Sequence, residues 1–211
     1  CISTTPKEEN SQAIVLALFL ADESLKKGRL IYKTDFEVGV NAKFDFPITP
    51  FYPGIEKDKL FVIAGIHGFA IDAFDRKGEK LYTIKKEFPK LKIPASYKDK
   101  TLEWFKKSPS WKQVFEFLKN RISFKDYYPP INIMIVDQGK IYVITNRMKD
   151  EEQRECMVMD LKGKEIKTVY LPIPEQYGMD YAFLFTIFDN YFYKLVENID
   201  EDSWELYRSE I

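Results

Sequence analysis

Two eleven-residue stretches of the chain, FDRKGEKLYTI at 74–84 and MDLKGKEIKTV at 159–169, follow one pattern. Each has an apolar residue, an aspartate, any residue, Lys-Gly, charged residues and then alternating apolar residues. Glycine tolerates positive φ, so the Lys-Gly pair suits a tight hairpin. Asp75 and Asp160 are expected to accept hydrogen bonds from the backbone amides of their own turns. The pattern therefore predicts two copies of one antiparallel β-hairpin.

The repeat extends beyond these hairpins. Residues 57–89 and 137–174 each contain three strand-like segments, and weaker copies occur at 13–48 and 181–211. A unit of three or four short antiparallel strands cannot bury both faces alone, so the units must stack. The high aromatic content, 16%, also favours strands. We predict an all-β protein, a β-propeller-like array of about four antiparallel blades, in a domain that spans 13–211.

One segment, 93–130, breaks the pattern and predicts a helical hairpin insertion at about 95–126. Ser108-Pro109 is typical of a helix N-cap followed by proline at the first helical position. Leu102 and Phe105 predict a shorter helix before it. The longer predicted helix follows the Ser108 cap, and its apolar residues from Trp111 onward fall at helical spacing on one stripe: Trp111, Val114, Phe115, Leu118 and Ile122.

Charge and hydropathy exclude several classes of function. Lys and Arg number 32 against 33 Asp and Glu, and a net charge of −1 offers no excess of cations for phosphates, so no nucleic-acid partner is expected. The apolar run at 13–21 has about half of the roughly 20 residues that a membrane-spanning helix needs, so it predicts a buried strand.

The two cysteines have different settings. Cys1 precedes a polar, proline-containing stretch, so residues 1–12 are predicted as a flexible tether and Cys1 as the lipid-bearing residue of a bacterial lipoprotein of the cell envelope. In that hypothesis the lipid is the only membrane contact. The alternative is a chain that simply begins at a cysteine. Cys156 lies in a strand-like stretch and is predicted to be a small buried apolar residue.

No motif for a cofactor, a catalytic triad or a metal site occurs in the chain. His67 is the only histidine. It is interpreted as structural, with a binding role at a turn facing a central channel as the alternative. The acidic run at 198–205 reads as a solvated hairpin turn. We therefore predict no metal, no cofactor and no catalytic residue.

Aromatic residues gather in and around the insertion. Trp104, Trp111, Tyr127 and Tyr128 are candidates for a platform that binds a carbohydrate or a peptide. The alternative is that they pack the helical hairpin onto the sheets.

The chain resembles the NHL-like six-bladed β-propellers of bacteria, a group mostly of unknown function. The resemblance rests on the repeated hairpin pattern, the KLF and KIY strand starts at 59–61 and 140–142, the final WELYRSEI at 204–211 and the insertion. About four blades are counted here, so the chain resembles the C-terminal part of that group. The resemblance implies a fold and hardly any function. It favours a non-catalytic module that binds a protein, peptide or glycan. The alternatives are a propeller-type hydrolase or lyase with a channel-mouth site, and a structural subunit or oligomer completed by another chain.

Overall fold

The computed structural model describes residues 2–6, 13–21, 24, 26–37, 44–47, 53–63, 68–113, 115–178, 184–198 and 200–211. Most of them are in strands, and two helices occur among them, so the prediction of an all-β protein is confirmed.

The second sheet, β5–β8, contains the first copy of the repeat. All four strands are antiparallel and lie in sequence order. Its strands are β5 Pro53–Glu56, β6 Lys59–Ile63, β7 Phe69–Phe74 and β8 Lys80–Lys86.

The third sheet, β10–β13, contains the second copy and has the same order and direction of strands. Both sheets have a bulge just before the Lys-Gly turn, at Ala73/Phe74 in the second and at Val158/Met159 in the third. The strands of the third sheet are β10 Ile133–Asp137, β11 Lys140–Met148, β12 Arg154–Asp160 and β13 Glu165–Leu171.

Two three-stranded antiparallel sheets come before and after this pair. The first sheet contains β1 Ile2–Pro6, β2 Ala13–Ala21 and β3 Lys27–Glu37, and the fourth contains β14 Phe185–Phe188, β15 Tyr191–Asn198 and β16 Ser203–Glu210. Residues 2–6 are thus a strand paired with β2, and the prediction that 1–12 is a flexible tether is wrong for them. Strand pairing satisfies backbone groups whatever the polarity of the side chains, so a polar stretch can still occupy a sheet edge.

The sheets pack face to face because alternate residues of one strand point to opposite faces. In β11, Ile141 and Val143 join the core shared with the second sheet, whereas Tyr142 and Ile144 join the core shared with the fourth. In β6, Phe61 and Ile63 face the third sheet, and Leu60 and Val62 pack with Leu18 of the first. The second and third sheets are therefore buried on both faces.

The repeated turns have the predicted internal hydrogen bonds. Asp75 Oδ1 accepts from the amides of Lys77 and Glu79, both at 2.8 Å. Asp160 Oδ1 accepts from the amides of Lys162 and Lys164, both at 2.9 Å.

Each repeated turn also contacts the preceding sheet. Gly78 and Gly163 have positive φ, 75° and 87°. A Cβ atom at residue 78 would overlap with Ile31 of β3, and one at residue 163 would overlap with Ile84 of β8. The Lys-Gly turns are thus both hairpin turns and junctions between sheets.

A second series of contacts joins neighbouring sheets near their first strands, at the same end of the strands as the Lys-Gly turns. The amide of Gly139 donates to Glu56 Oε1 at 3.2 Å, and the amide of Asp189 donates to Asp137 Oδ2 at 2.7 Å. Each contact runs from the turn after the first strand of one sheet to the corresponding turn of the next. The first strands β5, β10 and β14 are accordingly neighbours in space.

The insertion lies between β8 and β10. It contains α1 Ala95–Lys107, α2 Phe115–Leu118, a 3₁₀ turn at Lys119–Arg121 and β9 Ile122–Phe124, which pairs in parallel with β4 Phe44–Phe46. The prediction that Ser108 caps the longer helix and that Pro109 is its first residue is wrong. Ser108 ends α1 by donating its amide to the carbonyl of Trp104, and residues 109–113 form turns. The favourable N-cap sequence is overridden because α1 buries its own apolar stripe.

Candidate functional site

Helix α1 holds the insertion in place through one buried face. Tyr97, Thr101 and Phe105 are buried at intervals of four residues, which is the spacing of one helix face. Phe105 is 2% exposed and lies at the centre of an aromatic cluster. The buried face of the helix therefore packs in an aromatic cluster that includes Phe46 of β4 and Phe124 of β9.

Trp104 and Trp111, two of the predicted binding residues, belong to this cluster. Their rings meet Phe105 edge-on, with centroid distances of 5.1 and 5.8 Å. Trp104 also covers Gly178, where a Cβ atom would overlap with the indole ring. Gly178 has a positive φ of 64°. Both indoles are only partly exposed, so they pack the insertion more than they present a flat platform.

Tyr128, the third predicted residue, connects the insertion to the end of the third sheet. Its hydroxyl donates to Glu175 Oε1 at 2.6 Å, and the hydroxyl of Tyr177 donates to Glu175 Oε2 at 2.7 Å. The ring of Tyr97 lies 5.4 Å from that of Tyr128 and 5.6 Å from that of Tyr177. Two tyrosines thus share one carboxylate acceptor, and the ring of a third, Tyr97, packs against both.

A buried cation lies beside this cluster. Arg154 of β12 is 2% exposed. Its Nη2 donates to the carbonyl of Pro174 at 3.0 Å, and its Nη1 is 3.5 Å from Asn146 Oδ1. Its Nε has no hydrogen-bond partner among the described residues. Burial lowers the pKa of the Arg154 guanidinium, while the negative charge of Glu175 opposes that shift.

The tyrosines of the cluster hold their protons. Burial raises the pKa of Tyr97 to about 12. Burial also raises the pKa of Tyr128, and the hydrogen bond to Glu175 raises it further. Protonated phenols donate to Glu175, whose charge in turn compensates Arg154, so the arrangement is a structural network in which the Nε of Arg154 is left without a partner among the described residues. In the described part of the chain no three His, Cys, Asp or Glu side chains converge on a possible metal position.

The outer surface of the insertion is basic. Residues 85–126 contain twelve Lys and Arg against five Asp and Glu, a net charge of +7. The whole chain carries −1, so the remaining residues sum to −8. Within the described residues, ion pairs join Lys86 to Glu165, Lys107 to Glu103 and Lys119 to Glu116.

Several of the other cations lie over aromatic rings. The Lys90 ammonium is 5.4 Å from the ring centre of Tyr127, the fourth predicted residue, and Tyr127 is exposed. The Arg121 guanidinium lies 4.1 Å from the ring centre of Phe117, whose side chain is also exposed. Such stacking orients a cation and leaves it free to attract an anion.

The structure thus brings Trp104, Trp111 and Tyr128 together in the insertion and leaves Tyr127 at its surface. His67 and Cys1 lie outside the described residues. Sequence reasoning missed Arg154 and Glu175. The one available signal was an arginine at the start of the apolar stretch 154–160. It also missed the local positive charge, because only the total charge was considered.

Cys156 is fully buried, as predicted, and burial raises the pKa of its thiol to about 12. None of the helices in the described segments has the length and hydropathy needed to cross a bilayer. No protein-family model matches the chain, and a comparison with curated proteins gives no match either.

Proposed function

We propose that the chain is a non-catalytic binding module, built as a β-propeller-like array of about four blades, that binds an acidic segment of a protein through its insertion. The observation that carries the proposal is the +7 charge of residues 85–126 in a chain of net charge −1.

The propeller-like arrangement is supported by the two series of contacts between sheets. The first strands β5, β10 and β14 are neighbours, and the Lys-Gly turns join consecutive sheets near their last strands. Each pair of consecutive sheets also shares its own buried core. This is the packing expected when small antiparallel sheets are arranged around an axis.

The binding role is supported by the stiffness of the insertion. Aromatic packing around Phe105 fixes the insertion to β4 and β9, and the hydrogen bond from Tyr128 to Glu175 ties its end to the segment that follows β13. Binding then costs little ordering of the backbone. Binding residues are common in segments held by a rigid scaffold.

Charge complementarity favours an acidic partner over a neutral one. Lys106 and Lys112 are exposed, and no ion pair of either is seen among the described residues. Carboxylates of an acidic peptide would pair with such cations, and the exposed rings of Tyr127 and Phe117, beside Lys90 and Arg121, offer apolar contacts. Attraction between exposed charges is screened by salt, so binding should weaken as ionic strength rises.

Fluorescence anisotropy of a labelled decaglutamate peptide tests the proposal, with a labelled uncharged decaglutamine peptide for comparison. We expect the wild-type protein to bind the acidic peptide at low ionic strength. The double variant Lys106→Glu/Lys112→Glu should bind it at least tenfold more weakly. The matched control is Lys162→Glu/Lys164→Glu, which makes the same charge change on the repeated turn of the third sheet.

Equal loss of affinity in both double variants would show that net charge alone matters and would overturn the insertion as the binding surface. Absence of binding by the wild-type protein, or tighter binding of an uncharged glycan, would overturn the acidic peptide as the ligand.

A further inference from the structure

Among the described residues, the fourth sheet has no strand in the outer position that β8 and β13 take in the second and third sheets. In the second and third sheets, four strands run from β5 to β8 and from β10 to β13. In the fourth sheet, β14 lies next to β10 of the third sheet, so β14 corresponds to the first strand of the other sheets. Strand β16 therefore corresponds to their third strand. Within the described residues, β16 has β15 as its one strand neighbour. Its other edge is therefore a row of open backbone donors and acceptors.

This edge differs from the outer edges of the other sheets. The ladders that end in β3, β8 and β13 each have a register shift, and these strands contain lysines. Bulges and edge lysines prevent edge-to-edge pairing. Strand β16 pairs with β15 through all eight residues without a shift. It contains no lysine, proline or glycine.

The side chains of β16 are also exposed on the face that points away from the third sheet. Leu206 is 65% exposed and Trp204 is 53% exposed. Leu195 lies directly opposite Leu206 and adds to the same face. An exposed, regular and apolar edge strand is a site for strand addition.

We infer that β16 pairs antiparallel with β16 of a second copy of this chain, with Leu206 on the two-fold axis, to form a six-stranded sheet across the dimer. Residues opposite each other in an antiparallel pair point to the same face, so only registers that pair odd with odd and even with even numbers are allowed.

Charge and shape decide between the two central registers. With Leu206 on the axis, Leu206 lies opposite Leu206 of the second copy. Trp204 then lies opposite Arg208 of the second copy, and Glu205 lies opposite its Tyr207. The indole then meets a guanidinium, and the carboxylate meets a phenol. With Tyr207 on the axis, Trp204 would face Glu210 and Leu206 would face Arg208, which pairs apolar side chains with charges. The first register is self-complementary and sets no like charges opposite each other, as an isologous contact requires.

A disulfide trap tests the register. In a Cys1→Ser background, Leu206→Cys should form an intermolecular disulfide under mild oxidation, because residues directly opposite have Cα atoms about 4.5–5.5 Å apart, within the range a disulfide spans. The matched control Ser203→Cys should not, since residue 203 and its copy would lie about 20 Å apart along the strands. Cross-linking at 203 or 207 in place of 206, or at none of them, would overturn the proposal.

Sedimentation velocity over a concentration series tests the dimer without a cross-link. The wild-type chain should sediment as a dimer at high concentration, and Leu206→Lys, which brings two ammonium groups together on the axis, should sediment as a monomer. Ile166→Lys on β13, where the side chain is also exposed, should leave the dimer unchanged. Circular dichroism confirms that both variants fold. A wild-type chain that stays monomeric at every concentration, or a Leu206→Lys variant that stays dimeric, would overturn the proposal, and neither result bears on the acidic ligand of the insertion.

Discussion

Ile84 of β8 packs directly on Gly163 of the following sheet, and no Cβ atom fits between them. The same relationship occurs one junction earlier, where Ile31 of β3 packs on Gly78. An ion pair accompanies each contact, Lys86 with Glu165 and Arg29 with Glu79. The repeated Asp-x-Lys-Gly sequence therefore specifies a junction between sheets as well as a turn.

Gly163→Ala should destabilise the protein more than Gly139→Ala. Both glycines have positive φ, and alanine in that conformation costs about 1–2 kcal/mol. Residue 163 adds the overlap with Ile84, worth about 1–3 kcal/mol more, whereas a Cβ atom at 139 meets nothing within 4 Å. Urea denaturation measures the difference. The double variant Ile84→Ala/Gly163→Ala should recover part of the overlap cost, and strict additivity of the two changes would contradict this junction.

Asp160→Ala should lower the free energy of unfolding by about 1–2 kcal/mol, because two turn amides lose their carboxylate acceptor. Asp160→Asn should keep most of the stability, since an amide oxygen accepts the same two hydrogen bonds. Thermal denaturation of the two variants makes the comparison. Equal melting temperatures for both variants would mean that these hydrogen bonds contribute little.

Stability should fall with rising pH between about 8.5 and 10 because of Cys156. An unfolded thiol titrates near pH 8.5, whereas burial raises the folded pKa to about 12. The stability linked to the folded, protonated thiol is therefore fully present below pH 8.5 and is lost as the pH rises toward 12. The loss approaches about 1.4 kcal/mol per pH unit for one proton.

Urea denaturation at pH 7.5, 8.5, 9.25 and 10 measures this slope, with wild type and Cys156→Ala compared in a Cys1→Ser background. The alanine variant should be less stable at neutral pH but should lose less stability over the alkaline range. Tyr97, whose pKa is raised from near 10 to about 12, adds a loss of the same sign as the pH approaches 10, but this loss is common to both proteins and cancels in their difference. Parallel pH profiles for the two proteins would contradict the prediction.

Glu175→Gln should cost about 1–3 kcal/mol because it leaves the buried Arg154 without a nearby negative charge. In an Arg154→Met background the same change should cost less than about 1 kcal/mol, since no buried cation then needs compensation. Chemical denaturation of the four proteins gives the coupling energy. A coupling close to zero would show that Glu175 acts only as the acceptor for Tyr128 and Tyr177.

Sequence periodicity predicted the strands well where local and tertiary preferences agree. Segments 69–74, 165–171 and 191–198 are strands β7, β13 and β15, and the turns at Asp75 and Asp160 have the predicted hydrogen bonds. The alternation of apolar and polar residues failed to show which face of a strand meets which neighbouring sheet. Both faces of a stacked sheet are apolar, so the pattern does not distinguish them. The insertion was predicted less well, since Ser108-Pro109 is compatible with either a helix start or a helix end.

The candidate site was the least predictable part. Aromatic residues near the insertion were visible, but their partners were not, because Tyr128 and Glu175 meet only after the four strands of the third sheet fold between them. The basic surface was present in the sequence and was hidden by a chain-wide net charge close to zero.

The contacts between consecutive sheets have a consequence for how the molecule opens. The energy of such a stack is close to a sum of terms between neighbours, so unfolding can begin at one end without loss of the rest. The fourth sheet is covered on one face and the second and third on both, so its amide protons should exchange with solvent first. Loss of that sheet would expose Tyr142 and Ile144, and partly opened chains would be prone to associate through these surfaces.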